Sequence, residues 1–97
     1  MAWNNENTYS FNSTSITINA PSSSGVYGIF NAQRWVYIGE AGDIRQRLLQ
    51  HANGDNACIT SHAPTGFKFE FCPSAQRVQR QDALILEYKP ACNQKLG

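Results

Sequence analysis

The sequence lacks long apolar runs, and this excludes the usual membrane-spanning segments. No stretch approaches the ~20 consecutive apolar residues that a membrane-spanning helix needs. Residues 1–6 are too polar for a secretory signal. We therefore expect a cytoplasmic protein that does not associate with membranes. A length of 97 residues with 41% hydrophobic residues predicts a folded domain with one modest core.

Cysteine is scarce and widely spaced, with Cys58, Cys72 and Cys92 as the three examples. Structural zinc sites usually contain closely spaced ligand pairs, and the sequence has none. We therefore expect free thiols in a reducing compartment. His62 and Glu70 are likewise interpreted as structural residues.

An excess of basic residues is also missing, because eight Lys and Arg face seven Asp and Glu for a net charge of +1. Strong nucleic-acid binders usually carry a clear basic excess. A near-neutral chain can still present one basic face, with modest and salt-dependent affinity for nucleic acid. The sequence shows no zinc finger, helix-turn-helix or long basic arm that would specify a target sequence.

The chain divides into a lead-in over residues 1–20 and a domain over residues 21–97. The lead-in is rich in Asn, Ser and Thr. Alternation over residues 13–20, ended by Pro21, predicts a short edge strand. The turn-forming residues 21–25 then open the domain.

β-branched and aromatic residues at 26–30 and 34–38 predict a β-hairpin. A four-residue loop would pair Tyr27 with Ile38 and send Tyr27 and Tyr37 to opposite faces. A three-residue loop would pair Tyr27 with Tyr37 and put both phenols on one face. We expect the three-residue loop, because only this register builds a shared site.

Helix signals follow the hairpin. Asp43 is a good N-cap, and Gln46 three residues later completes a capping box. Arg47 and His51 are four residues apart and share a face of the predicted helix, which ends near residues 53–54. Residues 55–62 predict a second short helix, alternating phenylalanines at 67–71 predict a strand, and a last helix runs from residues 73–74 to Pro90.

An ordered set of short motifs resembles the GIY-YIG nuclease superfamily over roughly residues 21–94. The set is Gly25-Val26-Tyr27, Tyr37-Ile38-Gly39, Arg47 eight residues after Gly39, and Lys89-Pro90 followed by Asn93. One tripeptide alone would mean nothing, but the order and the intervening helix are specific. The resemblance implies an α/β fold, an α+β sandwich with a central three-stranded antiparallel sheet flanked by helices.

The resemblance also implies an activity. Members of the superfamily cut or nick DNA with one divalent metal, usually magnesium, in restriction, homing and DNA repair. It therefore implies a metal-dependent endonuclease that hydrolyses DNA phosphodiester bonds by in-line attack of water. Mg²⁺ or Mn²⁺ would be the cofactor and DNA the partner, with no small-molecule cofactor. A homodimer would let so small a domain cut two strands.

Five residues match catalytic positions of the superfamily. Tyr27 and Tyr37 would activate water or position the phosphate, although an ordinary phenol, with a pKa near ~10, is a poor general base at neutral pH. Arg47 would bind the phosphate and offset its growing negative charge. His51 would relay a proton. Asn93 would close the site by hydrogen bonding.

The expected metal ligand is missing. The superfamily has a glutamate nine residues before the proline that is Pro90 here, and this position holds Gln81. A neutral amide lacks the negative charge that Mg²⁺ prefers. The nearest acids on the same helix, Asp82 and Glu87, are rotated from Gln81 by about 100° and about 240°. We expect Glu87 to be the metal ligand of an active enzyme.

Gln81 leaves two alternatives open: the carboxylate has been removed by engineering, or the domain binds nucleic acid without cutting it. Phosphate contacts would come from Arg47 together with three further arginines: Arg45, Arg77 and Arg80. A protein-interaction domain is a third alternative. Glu40 is a second departure from the family pattern, because an acid beside a phosphate site repels DNA unless it helps hold a metal.

Overall fold

The structure, a computed structural model, describes residues 3–93 and has a mixed α/β architecture. Its sheet has four antiparallel strands in the order β1-β4-β2-β3, with helices on both faces. The elements in chain order are β1 Tyr9–Ser10, α1 Ser13–Asn19, β2 Gly25–Phe30, β3 Trp35–Ala41, α2 Ile44–Ala52, α3 Ala57–Ser61, β4 Gly66–Phe71 and α4 Arg77–Tyr88. Two 3-10 turns, Ser74–Gln76 and Ala91–Asn93, flank α4. Within residues 3–93, no helix is both long and apolar enough to cross a membrane.

The predicted α/β class is confirmed, but the sheet has one strand more than expected and the lead-in is folded differently. The edge strand is β1, which pairs with β4, and the predicted strand over residues 13–20 is instead helix α1. Asn12 explains the helix, because its side chain accepts a hydrogen bond from the Ser15 N–H and caps the first turn. Ile16 is fully buried in the core while Ile18 is 74% exposed, so burial does not follow the alternation of a strand.

The hairpin loop has four residues rather than three. Residues 31–34 connect the strands, and Phe30 pairs with Trp35. Beyond this pair the register shifts by one residue, because β3 carries one extra residue, Val36, in a bulge.

The bulge decides which side chains share a face. Ile29 pairs with Tyr37 and Tyr27 pairs with Gly39. The predicted pairing of Tyr27 with Tyr37 is therefore wrong, but the shared face is confirmed. The four-residue loop alone would send the two tyrosines to opposite faces of the sheet. The bulge shifts the register by one more residue, which moves the side chains of β3 to the other face and restores the shared face.

Both faces of the sheet are covered. One core contains Tyr27 and Ile29 of β2 with Ile16 of α1 and Leu48 of α2. The opposite face packs on α4 through a smaller cluster around Leu84. The strand predicted at β4 is confirmed, but burial follows the predicted alternation only in part. Phe67 and Phe69 are buried, whereas Phe71 is 67% exposed and Glu70 on the polar face is buried.

Within that polar face of β4, Glu70 is 5% exposed and forms an ion pair with Arg80 of α4. The pair lies where β4 meets α4, so the carboxylate is not a surface charge. The interpretation of Glu70 as a structural residue stays a prediction.

The predicted N-cap and the predicted end of the helix after the hairpin are confirmed. The Asp43 side chain accepts a hydrogen bond from the Gln46 N–H at 3.0 Å, and Gly54 after the helix has a φ of +89°.

Two of the three cysteines are not free thiols. Cys58 of α3 and Cys92 of the last turn form a disulfide, with 5.8 Å between their Cα atoms. Cys72 is free and buried. The expectation of three free thiols is therefore wrong for this pair. The two residues are 34 positions apart, and only the tertiary fold brings α3 and the turn Ala91–Asn93 together.

Candidate active site

Two tyrosines from the hairpin form the floor of the site. The ring centroids of Tyr27 and Tyr37 are 6.2 Å apart, and Gly39 lies against both rings. A Cβ atom on Gly39 would lie 2.5 Å from the Tyr27 hydroxyl oxygen and 2.9 Å from Cε2 of Tyr37. Glycine is required here because any side chain would displace the phenols.

Helix α2 delivers His51 to these rings. The His51 ring centroid lies 5.6 Å from that of Tyr27 and 5.2 Å from that of Tyr37. The Tyr27 hydroxyl oxygen is 2.8 Å from Nε2 of His51. The two residues are only 1% and 2% exposed, so this hydrogen bond is shielded from water.

Asp55 orients the imidazole from its other side. Oδ1 of Asp55 lies 2.8 Å from Nδ1 of His51. A carboxylate only accepts hydrogen bonds, so we assign the ring proton to Nδ1. Nε2 is then the acceptor, and the Tyr27 hydroxyl donates to it. Tyr27, His51 and Asp55 form a continuous hydrogen-bonded chain, called the buried relay below after its first two members; the Asp55 side chain is 37% exposed.

The pKa values of the buried relay shift in the directions that this arrangement requires. Burial, with a smaller contribution from Tyr37, raises the pKa of Tyr27 far above its ordinary value, so the phenol keeps its proton. Burial is also the largest influence on His51 and lowers its pKa, although hydrogen bonding and charge from Asp55 act in the opposite direction. At neutral pH the relay therefore holds a protonated phenol against a neutral imidazole.

Arg47 connects the buried relay to a surface cavity. Its NH1 donates to Oε1 of Gln50 at 2.7 Å and to Oδ2 of Asp55 at 3.2 Å. The Arg47 side chain is 40% exposed and lines a polar cavity of about 300 Å³. The relay ends at Asp55, so one guanidinium group contacts both the relay and the cavity.

The opposite wall of the cavity comes from β3 and α4. Nε of Arg77 donates to Oε1 of Glu40 at 2.7 Å, and NH1 of Arg77 donates to Oγ of Ser24 at 3.0 Å. Glu40 and Asp43 are the acids that line this cavity. Asp43 caps α2, so Glu40 is the carboxylate that faces the cavity without a role in capping.

Asn93 lies at the edge of the sheet beside the tyrosines. Its Oδ1 accepts from the Ile38 N–H at 2.7 Å, and its Nδ2 donates to the Ile38 carbonyl at 2.9 Å. β3 is an edge strand, and this amide takes the place of a neighbouring strand at one residue. Ile38 lies between Tyr37 and Gly39, so Asn93 holds the strand segment that carries the site.

The remaining predicted residues lie around this centre. Arg45 donates from Nε to the Ala20 carbonyl at 2.8 Å, and Arg80 pairs with Glu70. Gln81 is half-buried, one turn after Arg77 on the same face of α4, whereas Glu87 is exposed on another flank. Glu87, Arg45 and Arg80 are not among the residues that line the polar cavity.

Asp55 is the residue that reasoning from the sequence missed. It follows His51 by four residues, a spacing at which side chains of a helix meet. Helix α2 ends at Ala52, however, and Asp55 belongs to the start of the next predicted helix. The four-residue spacing of His51 and Asp55 was therefore the signal in the sequence that could have identified Asp55.

Comparison with solved structures finds the same fold in GIY-YIG N-terminal endonuclease domains of UvrC from Thermotoga maritima. The magnesium-bound domain has a TM-score of 0.64 and 25% identity, over 75% of this chain and 85% of that chain. A point mutant bound to its catalytic divalent cation has a TM-score of 0.66 and 25% identity, over 79% and 89% of the two chains. Comparison with curated protein sequences finds no match.

The family model of the GIY-YIG catalytic domain matches residues 23–91. The matched segment contains both motif tyrosines, Arg47 and His51. It also contains Asp55 and therefore the whole buried relay. The chain belongs to the GIY-YIG family of nuclease domains.

Proposed function

We propose that this domain is a divalent-metal-dependent endonuclease that hydrolyses DNA phosphodiester bonds by in-line attack of water. The observation that carries the proposal is the buried relay of Tyr27, His51 and Asp55, which ends on Arg47 at the polar cavity. Removing a histidine and a tyrosine from water lowers stability, and such perturbed groups concentrate at functional sites. A module that only binds phosphates needs the surface arginines but not this relay.

Arg47 is the phosphate-binding residue of the proposed reaction. Its guanidinium group matches two phosphate oxygens and stabilises the extra charge that develops as water attacks. The contacts with Asp55 and Gln50 hold the group before substrate arrives. Preorganised charge of this kind is worth more than charge that must be moved into place.

The buried relay is the proposed proton acceptor. Tyr27 is 1% exposed in the structure, so the proposal requires that DNA binding opens its phenol oxygen to the attacking water. That oxygen then accepts a proton from the water while its own proton moves to Nε2 of His51. Asp55 stabilises the imidazolium that results. Tyr37, which is half-buried, orients the water at the edge of the relay. Tyr27 never becomes a free phenolate, in agreement with its raised pKa.

Glu40 of the polar cavity and Gln81 of α4, which is not among the residues that line the cavity, are the two oxygen ligands that we propose for a divalent metal. Mg²⁺ is commonly held by one or two carboxylates together with phosphate oxygens of the substrate. Glu40 supplies a carboxylate, and the amide oxygen of Gln81 is the second protein ligand that we propose. A bound Mg²⁺ or Mn²⁺ neutralises phosphate charge and makes its bound water more acidic. Glu87 stays the ligand predicted from the sequence.

A nucleic-acid-binding module without cleavage is the second candidate. Gln81 favours it, because the family position for an acid holds a neutral side chain. The ion pair of Glu40 with Arg77 favours it as well, because the carboxylate already has a cationic partner. Phosphate contacts would then come from the arginines around the site, namely Arg45, Arg47, Arg77 and Arg80.

Nicking of supercoiled plasmid with Mg²⁺ or Mn²⁺ separates the two candidates. We expect nicking by the natural sequence, loss of nicking in Arg47→Ala and faster nicking in Gln81→Glu. Arg34→Ala is the matched control, because it removes an exposed arginine from the hairpin loop. Activity that appears only in Gln81→Glu contradicts the proposal and favours the binding module.

A second comparison tests which glutamate binds the metal. Glu40→Gln should raise the Mn²⁺ concentration needed for half-maximal nicking, while Glu87→Ala should leave it unchanged. The reverse pattern would identify the exposed glutamate as the ligand. We also propose a cytoplasmic role in DNA repair or restriction, and a homodimer for double-strand cutting, which analytical ultracentrifugation on DNA would detect.

A further inference from the structure

The Cys58–Cys92 disulfide lies outside the buried relay and the polar cavity. It joins α3 to the turn Ala91–Asn93 at the end of the described chain. Cys58 is exposed and Cys92 is half-buried, so dissolved thiols can reach the bond. The Cα separation of 5.8 Å is ordinary for a disulfide.

An imidazole lies beside both sulfur atoms. Nδ1 of His62 is 3.9 Å from Sγ of Cys58 and 3.7 Å from Sγ of Cys92. The same nitrogen is 2.9 Å from the Cys58 carbonyl oxygen, which only accepts hydrogen bonds. We therefore place a proton on Nδ1. A hydrogen-bond donor beside sulfur stabilises the thiolate, the form of cysteine that reacts in thiol–disulfide exchange.

The same three side chains also have the composition of a metal site. The ligand atoms of Cys58, His62 and Cys92 lie within 4.8 Å of one another. A protonated Nδ1 cannot coordinate a metal, and the two sulfurs are already bonded to each other. The geometry therefore favours disulfide exchange, and metal binding becomes an outcome that the experiment must exclude.

The residue after Cys92 connects this bond to the sheet edge. Asn93 pairs with both backbone groups of Ile38, between Tyr37 and Gly39. The disulfide fastens the turn that carries Asn93 to α3. With the bond broken, the turn is still held by the buried Pro90, by the packing of Cys92 on the core and by the Asn93 hydrogen bonds.

We propose that Cys58 and Cys92 form a thiol–disulfide switch that controls how firmly Asn93 holds β3. The reductant is a dithiol: it transfers two electrons and two protons to the bond, which becomes two thiols, and is itself converted to a disulfide. Oxidation by a small disulfide reverses the step. The switch itself is independent of cleavage, and only its effect on nicking rests on the proposed function.

The first experiment tests the bond. The native protein is treated with iodoacetamide before and after dithiothreitol and analysed by mass spectrometry, with zinc measured in the same samples. We expect Cys58 and Cys92 to be alkylated only after reduction, while buried Cys72 stays unlabelled as an internal control. Free thiols that oxidised glutathione does not convert, or one equivalent of bound zinc, would overturn the switch.

The second experiment tests the link to β3. Reduction removes the constraint on the unfolded chain and should raise the unfolding equilibrium constant on the order of 100-fold. The Ile38 amide should exchange its hydrogen about tenfold faster or more. In Asn93→Ala this amide should exchange rapidly in both states, and Cys58→Ser/Cys92→Ser should not respond to dithiol.

Unchanged exchange at Ile38 in the reduced wild-type protein would refute the link between the bond and the clamp. Plasmid nicking is measured on the same two samples. A protein that never nicks DNA but shows the exchange response counts against the proposed nuclease and supports the switch.

Discussion

The substitution Asp55→Asn tests the buried relay most directly. Arg47 only donates hydrogen bonds, and its NH1 lies 3.2 Å from Oδ2 of Asp55. The asparagine oxygen should therefore face Arg47, and the amide NH₂ should face Nδ1 of His51. Nδ1 must then accept, so the ring proton moves to Nε2. The Nε2–H of His51 and the hydroxyl of Tyr27 would then face each other as two hydrogen-bond donors, and one of them would have no acceptor.

The expected magnitudes follow from burial. Tyr27 is 1% exposed, so water cannot replace the lost acceptor. A buried polar group without a partner lowers the free energy of unfolding by about 1–3 kcal/mol. Loss of a positioned proton acceptor slows a reaction by about 10²- to 10⁴-fold, and we expect a nicking rate at least about 10²-fold slower. Asp55 raises the pKa of His51, so replacing Asp55 should also shift the acid limb of the pH–rate profile for nicking to lower pH.

Long-range ¹H–¹⁵N spectra report directly which nitrogen of His51 carries the proton, and they do so whether or not the domain cuts DNA. Asp43→Asn is the matched control. It removes the same charge from the wall of the polar cavity that Arg47 lines, without touching the relay, and leaves a residue that caps α2 equally well. A variant at Asp55 with the proton still on Nδ1 and an unchanged nicking rate would refute the assigned relay.

Three further predictions concern stability. Gly39→Ala should lower the free energy of unfolding in urea by about 1–3 kcal/mol through overpacking. Gly42→Ala is the control: its Cβ would lie 3.6 Å from the nearest neighbouring atom, so it should change this free energy by less than about 0.5 kcal/mol. Equal effects of the two substitutions would contradict the packing argument. Arg80→Met should lower the free energy of unfolding by about 3–5 kcal/mol, because the buried carboxylate of Glu70 loses this cation and keeps the hydrogen bond from the Asn4 N–H. Adding Glu70→Gln should recover part of the loss, and simple additivity in this double-mutant cycle would show that the pair is not coupled. The pKa of His51 in the folded state lies below the 6.5 of an unfolded chain, so on acidification the unfolded state binds a proton before the folded state does. The free energy of unfolding should therefore fall as pH drops below 6.5. An identical decline in His51→Gln would assign this loss of stability to other groups.

Local signals in the sequence predicted much of the fold. Three predictions depend on neighbours within a few residues and are confirmed: the Asp43 cap, the existence of strand β4 and the stop at Pro90. Local propensity failed at residues 13–20, where β-branched side chains suggested a strand. The Asn12 cap and a single buried contact at Ile16 were enough to form a helix there.

The shared face of the two tyrosines was predicted for the wrong reason. A sequence shows which residues favour strands, but register depends on loop length and on bulges, and here the two compensate. The motif spacing nevertheless indicated that Tyr27, Tyr37, Arg47 and His51 would meet.

By itself, the sequence determined the order of the elements from β2 onward, the family and most of the residues around the site, because motifs and periodicity are local along the chain. Tertiary structure alone decided the contact of Asp55 with His51, the pairing of Glu40 with Arg77 and the bond between the distant cysteines. Those contacts depend on where helix ends and strand edges meet in space, and spacing along the chain does not encode that position.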